Sequence, residues 1–344
     1  MTFKPSHRRS ALVSAIAAAL STAYGTADAQ SAAAPAANLP PVVVTGNPLR
    51  SADVISPTTV LSGDALVLRR GSTLGETLDG LPGVSASYFG PNANRPIIRG
   101  MDGDRIKVLT NAGVALDASS LSNDHAVPID PLVIERVEVL RGPAALLYGG
   151  SAVGGVVNAI DNRIPRSAVT APTGTAELRY GGPATERGAS GIVDAGGNGF
   201  VVHGDAFYRK TNNMSVPEFE RPVEGGTELR TTIVNSQSQS DGGAIGGSFV
   251  WDHGYFGASA DTFRSNYGVV AEEDVTIDMH LNKYTLAGEV RDLSGPISRI
   301  SGQWLYSDYQ HQEIEGTGEV ATTFKNKGSD FRFEFEQAKL ALGE

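Results

Sequence analysis

Asp124 and His125 are the neighbouring pair in this chain best equipped for metal chemistry. They close the polar stretch Ser119-Ser120-Leu121-Ser122-Asn123-Asp124-His125-Ala126, and the following Pro128 suggests a loop instead of a core strand. An imidazole beside a carboxylate offers a nitrogen and an oxygen donor of borderline hardness, a pair suited to Zn²⁺. The same residues could equally serve the loop itself, the histidine satisfying carbonyls and Asp124 capping a turn. Further carboxylates and imidazoles gather at Glu272, Glu273, Asp274 and His280, and again at His311, Glu313 and Glu315. An acidic loop is usually only solvated, so these are candidate ligands that the fold must first bring to His125. The sequence contains no cysteine, which excludes disulfides, thiolate metal sites and thiol catalysis. No serine, histidine and aspartate stand in a context that suggests a nucleophile with its base, and the chain does not read as an enzyme.

The elements that must position these side chains fall into two patterns. Residues 50–163 fit a compact α/β unit. Ser72 can cap a short helix carrying Leu74, Leu78 and Leu81 on one face, stopped at Leu81-Pro82-Gly83. Ile97-Ile98-Arg99-Gly100 and Arg105 to Leu109 read as two strands joined by a Met-Asp-Gly-Asp turn. Residues Glu135 to Asn158, ERVEVLRGPAALLYGGSAVGGVVN, run from a short β pattern (Val137, Val139) through glycine-rich turns into a second β-branched run. Glycines stand where backbone turns sharply or approaches another strand closely. A phosphate-binding loop would need Lys-Ser/Thr after the glycines, and none follows.

After Arg163 the hydropathy period becomes two. Ala176, Leu178 and Tyr180 alternate with Glu177 and Arg179; Phe200, Val202, Ala206 and Tyr208 alternate with His203, Asp205 and Arg209. Tyr284, Leu286 and Val290 oppose Thr285, Glu289 and Arg291. Ile300, Trp304 and Tyr306 oppose Arg299, Ser301 and Gln303, and Phe331, Phe333 and Phe335 oppose Arg332, Glu334 and Glu336. One apolar and one charged face over such lengths suits a barrel between lipid and a wet lumen. Tight turns at 196–199, 252–254 and 293–296 alternate with longer connections expected at 211–240, 266–281 and 311–327. About eight strands are expected on this pattern. A compact unit of roughly 110 residues cannot fit inside an eight-stranded barrel, so the expectation is the N-terminal part of a larger, truncated one.

The N-terminus bears on compartment. Lys4, Arg8 and Arg9 precede an apolar run from Ala11 to Ala23 and an Ala27-Asp28-Ala29 end, which reads as a cleaved secretory signal over 1–29. Residues 30–49 form an Ala/Pro/Ser-rich linker carrying Pro41-Val42-Val43-Val44-Thr45-Gly46. Such a β-branched segment cannot bury itself and can add as a strand to another protein's sheet edge, or it is the first strand of the compact unit. The formal net charge of −10 argues against nucleic acid as a partner.

The glycine-rich stretch, with Arg99-Gly100 and Asp104-Arg105 upstream, resembles the plug domain of TonB-dependent outer-membrane receptors. The resemblance implies an α/β plug domain (50–165) followed by antiparallel transmembrane β-barrel strands (174–344), an incomplete barrel with about eight of about 22 strands. Residues 41–46 resemble a TonB box, which implies TonB, the energy-transducing protein in the periplasm, as a partner. Outer-membrane lipid of a Gram-negative bacterium would be the other. GMDGDRIKVL, LDASSLSNDHAVPIDPL and VNAIDNRIP within 95–165, and YGVVAEEDVTIDMHLNKYTLAGE at 267–289, are similar to the zinc-uptake branch. That similarity implies that Asp124 and His125 contribute to a zinc site, with Zn²⁺ as transported ligand and no catalytic cofactor. Remaining ligands would come from the barrel loops that hold Glu272, Glu273, Asp274, His280 and His311. The histidine-rich insertion carried by many members of that branch is missing here. A ferric siderophore, haem or cobalamin receptor is the alternative within the fold. A stand-alone periplasmic metal-binding module is the alternative outside it.

Overall fold

The computed structural model describes residues 58–114, 116–223 and 225–338. The expected signal at 1–29, the linker and the Pro41 to Gly46 segment lie outside the described residues.

The first unit is built on a four-stranded sheet of β1 (Thr58–Ser62), β4 (Ile106–Thr110), β5 (Arg136–Leu140) and β6 (Gly155–Ile160), in the order β1-β5-β6-β4. Only β4 and β6 run parallel. Val137, Val139, Val157 and Ala159 point to one face, where α1 (Gly63–Arg69) and α2 (Leu74–Leu78) supply Leu66, Leu74 and Leu78. On the other face Leu109, Leu140 and Val156 meet Ala145, Tyr148 and Ala152 of the 143–152 turns. A sheet covered on both sides needs apolar runs, and β6 is buried at every position. Gly155 is required where it stands. Its φ is +146°, and a Cβ there would lie 2.7 Å from the Leu140 carbonyl oxygen.

Three details differ from expectation. The helix ends at Leu78, so Leu81 lies beyond it, although it packs against the same core. The α2 cap is Thr73, whose hydroxyl accepts from Glu76 N–H at 3.1 Å. Ser72, one residue earlier, is instead bound through both its N–H and hydroxyl to the Glu76 carboxylate. The 96–98 and 106–110 strands follow one another but never pair. β3 (Pro96–Ile98) joins β2 (Val84–Ala86), whereas β4 joins β6.

The second unit is an eight-stranded antiparallel sheet in the order β16-β15-β14-β13-β12-β9-β8-β7. Its strands are β7 (Thr173–Gly181), β8 (Glu186–Gly197), β9 (Phe200–Thr211), β12 (Ser238–Trp251), β13 (Gly254–Gly268), β14 (Thr276–Arg291), β15 (Ile297–Ile314) and β16 (Val320–Gln337). Each joins the next by a hairpin except β9 and β12, between which β10 (Met214–Val223) and β11 (Gly226–Ile233) form a separate two-stranded hairpin. Asn198 and Gly199, both with positive φ, make the two-residue β8–β9 turn, the kind of turn whose twist matches that of the strands.

Outward faces carry Leu178, Tyr180, Phe200, Val202, Ile245, Phe256, Phe331, Phe333 and Phe335, all exposed. Inward faces carry His203, Asp205, Arg209, Lys283, Glu289 and Arg299, all buried. This division is the one the period-two pattern predicts. The connections are shorter than expected, however. The ladder runs to Gly268 and resumes at Thr276, and it runs to Ile314 and resumes at Val320. Backbone pairing continues past the point where the apolar signal stops, because polar residues are tolerated on a strand above the apolar band. His280, His311 and Glu313 are therefore strand residues and not loop residues.

The plug end is seated on the wall through charge. Arg163 donates from Nε and Nη2 to Asp205 at 2.8 and 3.1 Å. It also pairs with Asp261 at 3.1 Å and with Asp161 at 3.5 Å. Lys283 reaches Asp261 at 3.3 Å, and His203 bridges Asp194 and Asp205. Burial works against the Arg163 charge, yet Asp261, Asp161 and Asp205 together hold its pKa above the ordinary value. Its backbone lies directly over β12, where a Cβ on Gly246 would fall 1.8 Å from the Arg163 carbonyl oxygen. Higher up, Arg209 of the wall donates to Asp130 of the plug at 3.0 and 2.9 Å.

Replacing Arg163 with methionine keeps the aliphatic stem and strands buried carboxylates. It is expected to weaken plug seating by about 3–5 kcal/mol, read as loss of plug amide protection at lower urea. Adding Asp205→Asn should recover part of that loss. An unchanged urea profile for Arg163→Met would show that the seat contributes no stability.

Candidate metal centre

His125 lies in the irregular plug segment between β4 and β5, where side chains and tight turns replace a ladder. Leu121 N–H donates to the Ala118 carbonyl and His125 N–H to that of Ser122. Arg95 donates to the Ser119 carbonyl and to Asn123 Oδ1. The imidazole is buried. Its Nδ1 lies 2.9 Å from the Ala118 carbonyl oxygen, so Nδ1 carries the proton and Nε2 is left toward the wall.

Two wall residues meet it there. Residues 309, 311 and 313 share the inward face of β15, and His311 is 0% exposed. The two imidazole centroids are 4.4 Å apart at 69°, and Phe324 of β16 closes the third side at 4.9 and 4.6 Å. Glu313 Oε1 stands 3.3 Å from His125 Nε2. One ligand atom from each of His125, His311 and Glu313 can be chosen so that all lie within 4.8 Å of one another. Two ligands of a tetrahedral ion at roughly 2.0–2.1 Å would themselves be about 3.4 Å apart. The His125–Glu313 pair, at 3.3 Å, already has that spacing, and the His311 ligand atom lies within 4.8 Å of both.

His311 Nδ1 contacts the Tyr309 hydroxyl at 2.6 Å, while its Nε2 is buried with no partner among the described residues. An orphaned buried nitrogen is costly unless something binds it. Two imidazoles and a carboxylate without thiolates form a donor set for a borderline divalent ion.

The remaining candidates are placed elsewhere. The Asp124 carboxylate accepts from the Ser122 hydroxyl, and its backbone carbonyl accepts from the Tyr267 hydroxyl of the wall. His280 lies on the outward face of β14, exposed, with Nε2 3.4 Å from Thr262 Oγ1. Glu273 pairs with Arg230 and Arg221 of the β10–β11 hairpin, and hydrogen bonding to Arg230 holds its carboxyl below the usual range. Glu272 contributes a backbone carbonyl to Asn235, and Asp274 and Glu315 are exposed. Among the described residues, no metal-capable group of three includes Asp124, Glu272, Glu273, Asp274, His280 or Glu315. His203 is tied into the charged seat, and His253 contacts Asp292 at the opposite turn. Phe324, Tyr309 and Tyr267 escape sequence reasoning. The available signal was the Tyr309-x-His311-x-Glu313 alternation, legible only once the strand is known to continue.

Comparison with known proteins agrees with this architecture. Residues 50–156 match the family model described as TonB-dependent Receptor Plug Domain. The Vitamin B12 transporter BtuB of Vibrio vulnificus (strain CMCP6) is 26% identical over 283 residues, 80% of this chain and 44% of that protein. The Hemin receptor of Yersinia pestis is 32% identical over 117 residues, 34% of this chain and 17% of that protein. Among solved structures, Copper transporter OprC superposes with a TM-score of 0.63 at 15% identity, over 81% of this chain and 43% of that one. At that identity the likeness shows the fold alone. The chain thus carries a plug domain and an incomplete barrel wall, and it spans less than half the length of these proteins.

Asp117, at the start of the site loop, has its carboxyl pKa raised, first by burial, against hydrogen bonds from Ser119 and the charges of Lys283 and Arg95. A raised carboxyl pKa means that ionisation costs folding free energy as pH climbs above about 4, the unfolded value. Asp117→Asn retains an acceptor for Ser119. Its thermal midpoint should exceed that of the parent chain at pH 8, and the difference should vanish near pH 4. A variant less stable at pH 8 would mean the charge is better compensated than its burial implies.

Proposed function

We propose that this chain is part of a TonB-dependent outer-membrane receptor that imports a scarce nutrient, and that the nutrient is zinc. The observation that carries the metal assignment is a buried plug imidazole facing a buried imidazole and a carboxylate of the barrel wall. Zinc is the cargo, bound and then released.

The chemistry follows from who owns each ligand. His125 belongs to the plug, whereas His311 and Glu313 belong to β15. A site shared across that boundary exists only while plug and wall are in register. Displacement of the plug removes one ligand of three and so lowers affinity without any competing ligand. The displacement would be driven through Pro41, Val42, Val43, Val44, Thr45 and Gly46, gripped as an added strand by the periplasmic partner. The partner's energy replaces a catalytic step, and no reacting group is needed. The wall's exposed apolar face would contact outer-membrane lipid.

Copper is the second reading. Imidazole nitrogens bind Cu²⁺ more tightly than Zn²⁺ in the general affinity order, and a copper transporter is among the similar folds.

His125→Ala should lower zinc affinity by on the order of 100-fold and leave the plug folded. The measurement is metal bound by the full chain in detergent, with zinc-limited growth of cells that depend on it. Unaltered zinc content and growth would remove the metal assignment and leave the receptor fold standing; bound copper in place of zinc would select the second reading. Deleting Pro41 to Thr45 should abolish energised uptake and spare binding. Uptake that persists would mean that this segment is not where the partner pulls.

A further inference from the structure

Tyr267 ends β13 on its inward side and is 2% exposed. Its ring lies in an apolar bed with Ile277, Met279, Leu281 and Tyr309 of the wall and Ala118 of the plug. Its hydroxyl is used twice. It accepts from Ala126 N–H at 2.9 Å and donates to the Asp124 carbonyl oxygen at 2.9 Å. Those two peptide groups flank His125. One wall hydroxyl therefore grips the plug backbone on both sides of the plug's only residue in the three-ligand group.

We propose that Tyr267 is a positioning residue, which fixes the His125 imidazole against His311 and Glu313 and sets how tightly a divalent ion is held. The inference rests on the metal reading above. The site loop has no ladder to hold it, so the location of His125 relative to β15 depends on cross-boundary bonds. Of these, the Tyr267 pair acts within one residue of the imidazole on either side. Metal ligands must be held to about half an ångström, and groups that orient a ligand typically govern affinity by 10–100-fold. Both bonds are neutral, and both must break before the loop can leave the wall. Tyr267 therefore contributes to retention as well as to geometry. The arrangement is local, since the charged seat at Arg163 holds a different part of the plug.

The test is Tyr267→Phe in the full chain, which keeps the ring in its bed and removes the hydroxyl. Zinc affinity, measured with zinc ion alone, should fall 10–100-fold, mostly through faster release. Tyr255→Phe, a buried tyrosine at the far end of the same strand, should leave it unchanged. In a His125→Ala background Tyr267→Phe should have no further effect, because Tyr267 acts through His125. Hydrogen exchange gives a readout independent of metal: the Ala126 amide should lose protection while the β5 and β6 amides keep theirs. Equal affinity in Tyr267→Phe and the parent chain, with His125-dependent binding intact, overturns this inference alone. The same holds if Ala126 protection is unchanged. A parent chain whose zinc binding does not depend on His125 overturns the metal reading and this inference with it.

Discussion

Arg163 is the contact on which the rest of the arrangement depends. A buried guanidinium must be surrounded by opposite charge, and Asp161, Asp205 and Asp261 supply it from the plug end and two wall strands. Because Gly246 leaves no side chain beneath it, the chain at Arg163 lies flat on β12. Once that end is fixed, Asp130 meets Arg209 and the irregular loop after β4 falls opposite β13 to β16. The charged seat thus sets where the loop lies on the wall, and the two Tyr267 bonds place His125 within it.

The two sorts of contact suit different tasks. Breaking the seat leaves unpaired buried charges, which is costly enough to keep the plug end in place. Around His125 most contacts to the wall are neutral: two bonds to one tyrosine hydroxyl and an aromatic edge, with the Glu313 carboxylate at 3.3 Å the one charged group of the wall beside the ring. Neutral hydrogen bonds exchange with water at a net cost near 1 kcal/mol each. A plug domain held in this way can shift locally at the site before it yields at the seat.

Much of the fold was legible because alternation is a property of adjacent residues. On β9 every second residue from Val201 to Thr211 is buried, and the sequence shows the same division between Phe200, Val202 and Tyr208 on one side and His203, Asp205 and Arg209 on the other. The signal failed where composition stopped reporting it. Asp278, His280, Gln310 and Gln312 are polar, yet their backbones continue the ladder. In the β10–β11 hairpin, Pro217, Pro222 and several charges hide two strands; a two-stranded ribbon has free edges where a missing N–H is tolerated. Residue type was enough to single out His125. Its partners were not legible as partners, because His125 and Glu313 lie 188 positions apart. Asp124 lies outside the three-residue group, its carboxylate accepting from the Ser122 hydroxyl.

On the proposed zinc reading, dividing the ligands between plug and wall would also resolve a conflict that any importer faces. A site tight enough to collect a scarce ion from dilute solution releases it slowly if the ligands stay together. Improving all three ligands on one rigid element would only deepen that conflict. On that reading the tightness would reside in the relative placement of plug and wall, and displacing the plug would undo it. Affinity and release then answer to different coordinates. The first is set by how closely His125 is held to β15, and the second by whether the plug remains in register with the wall.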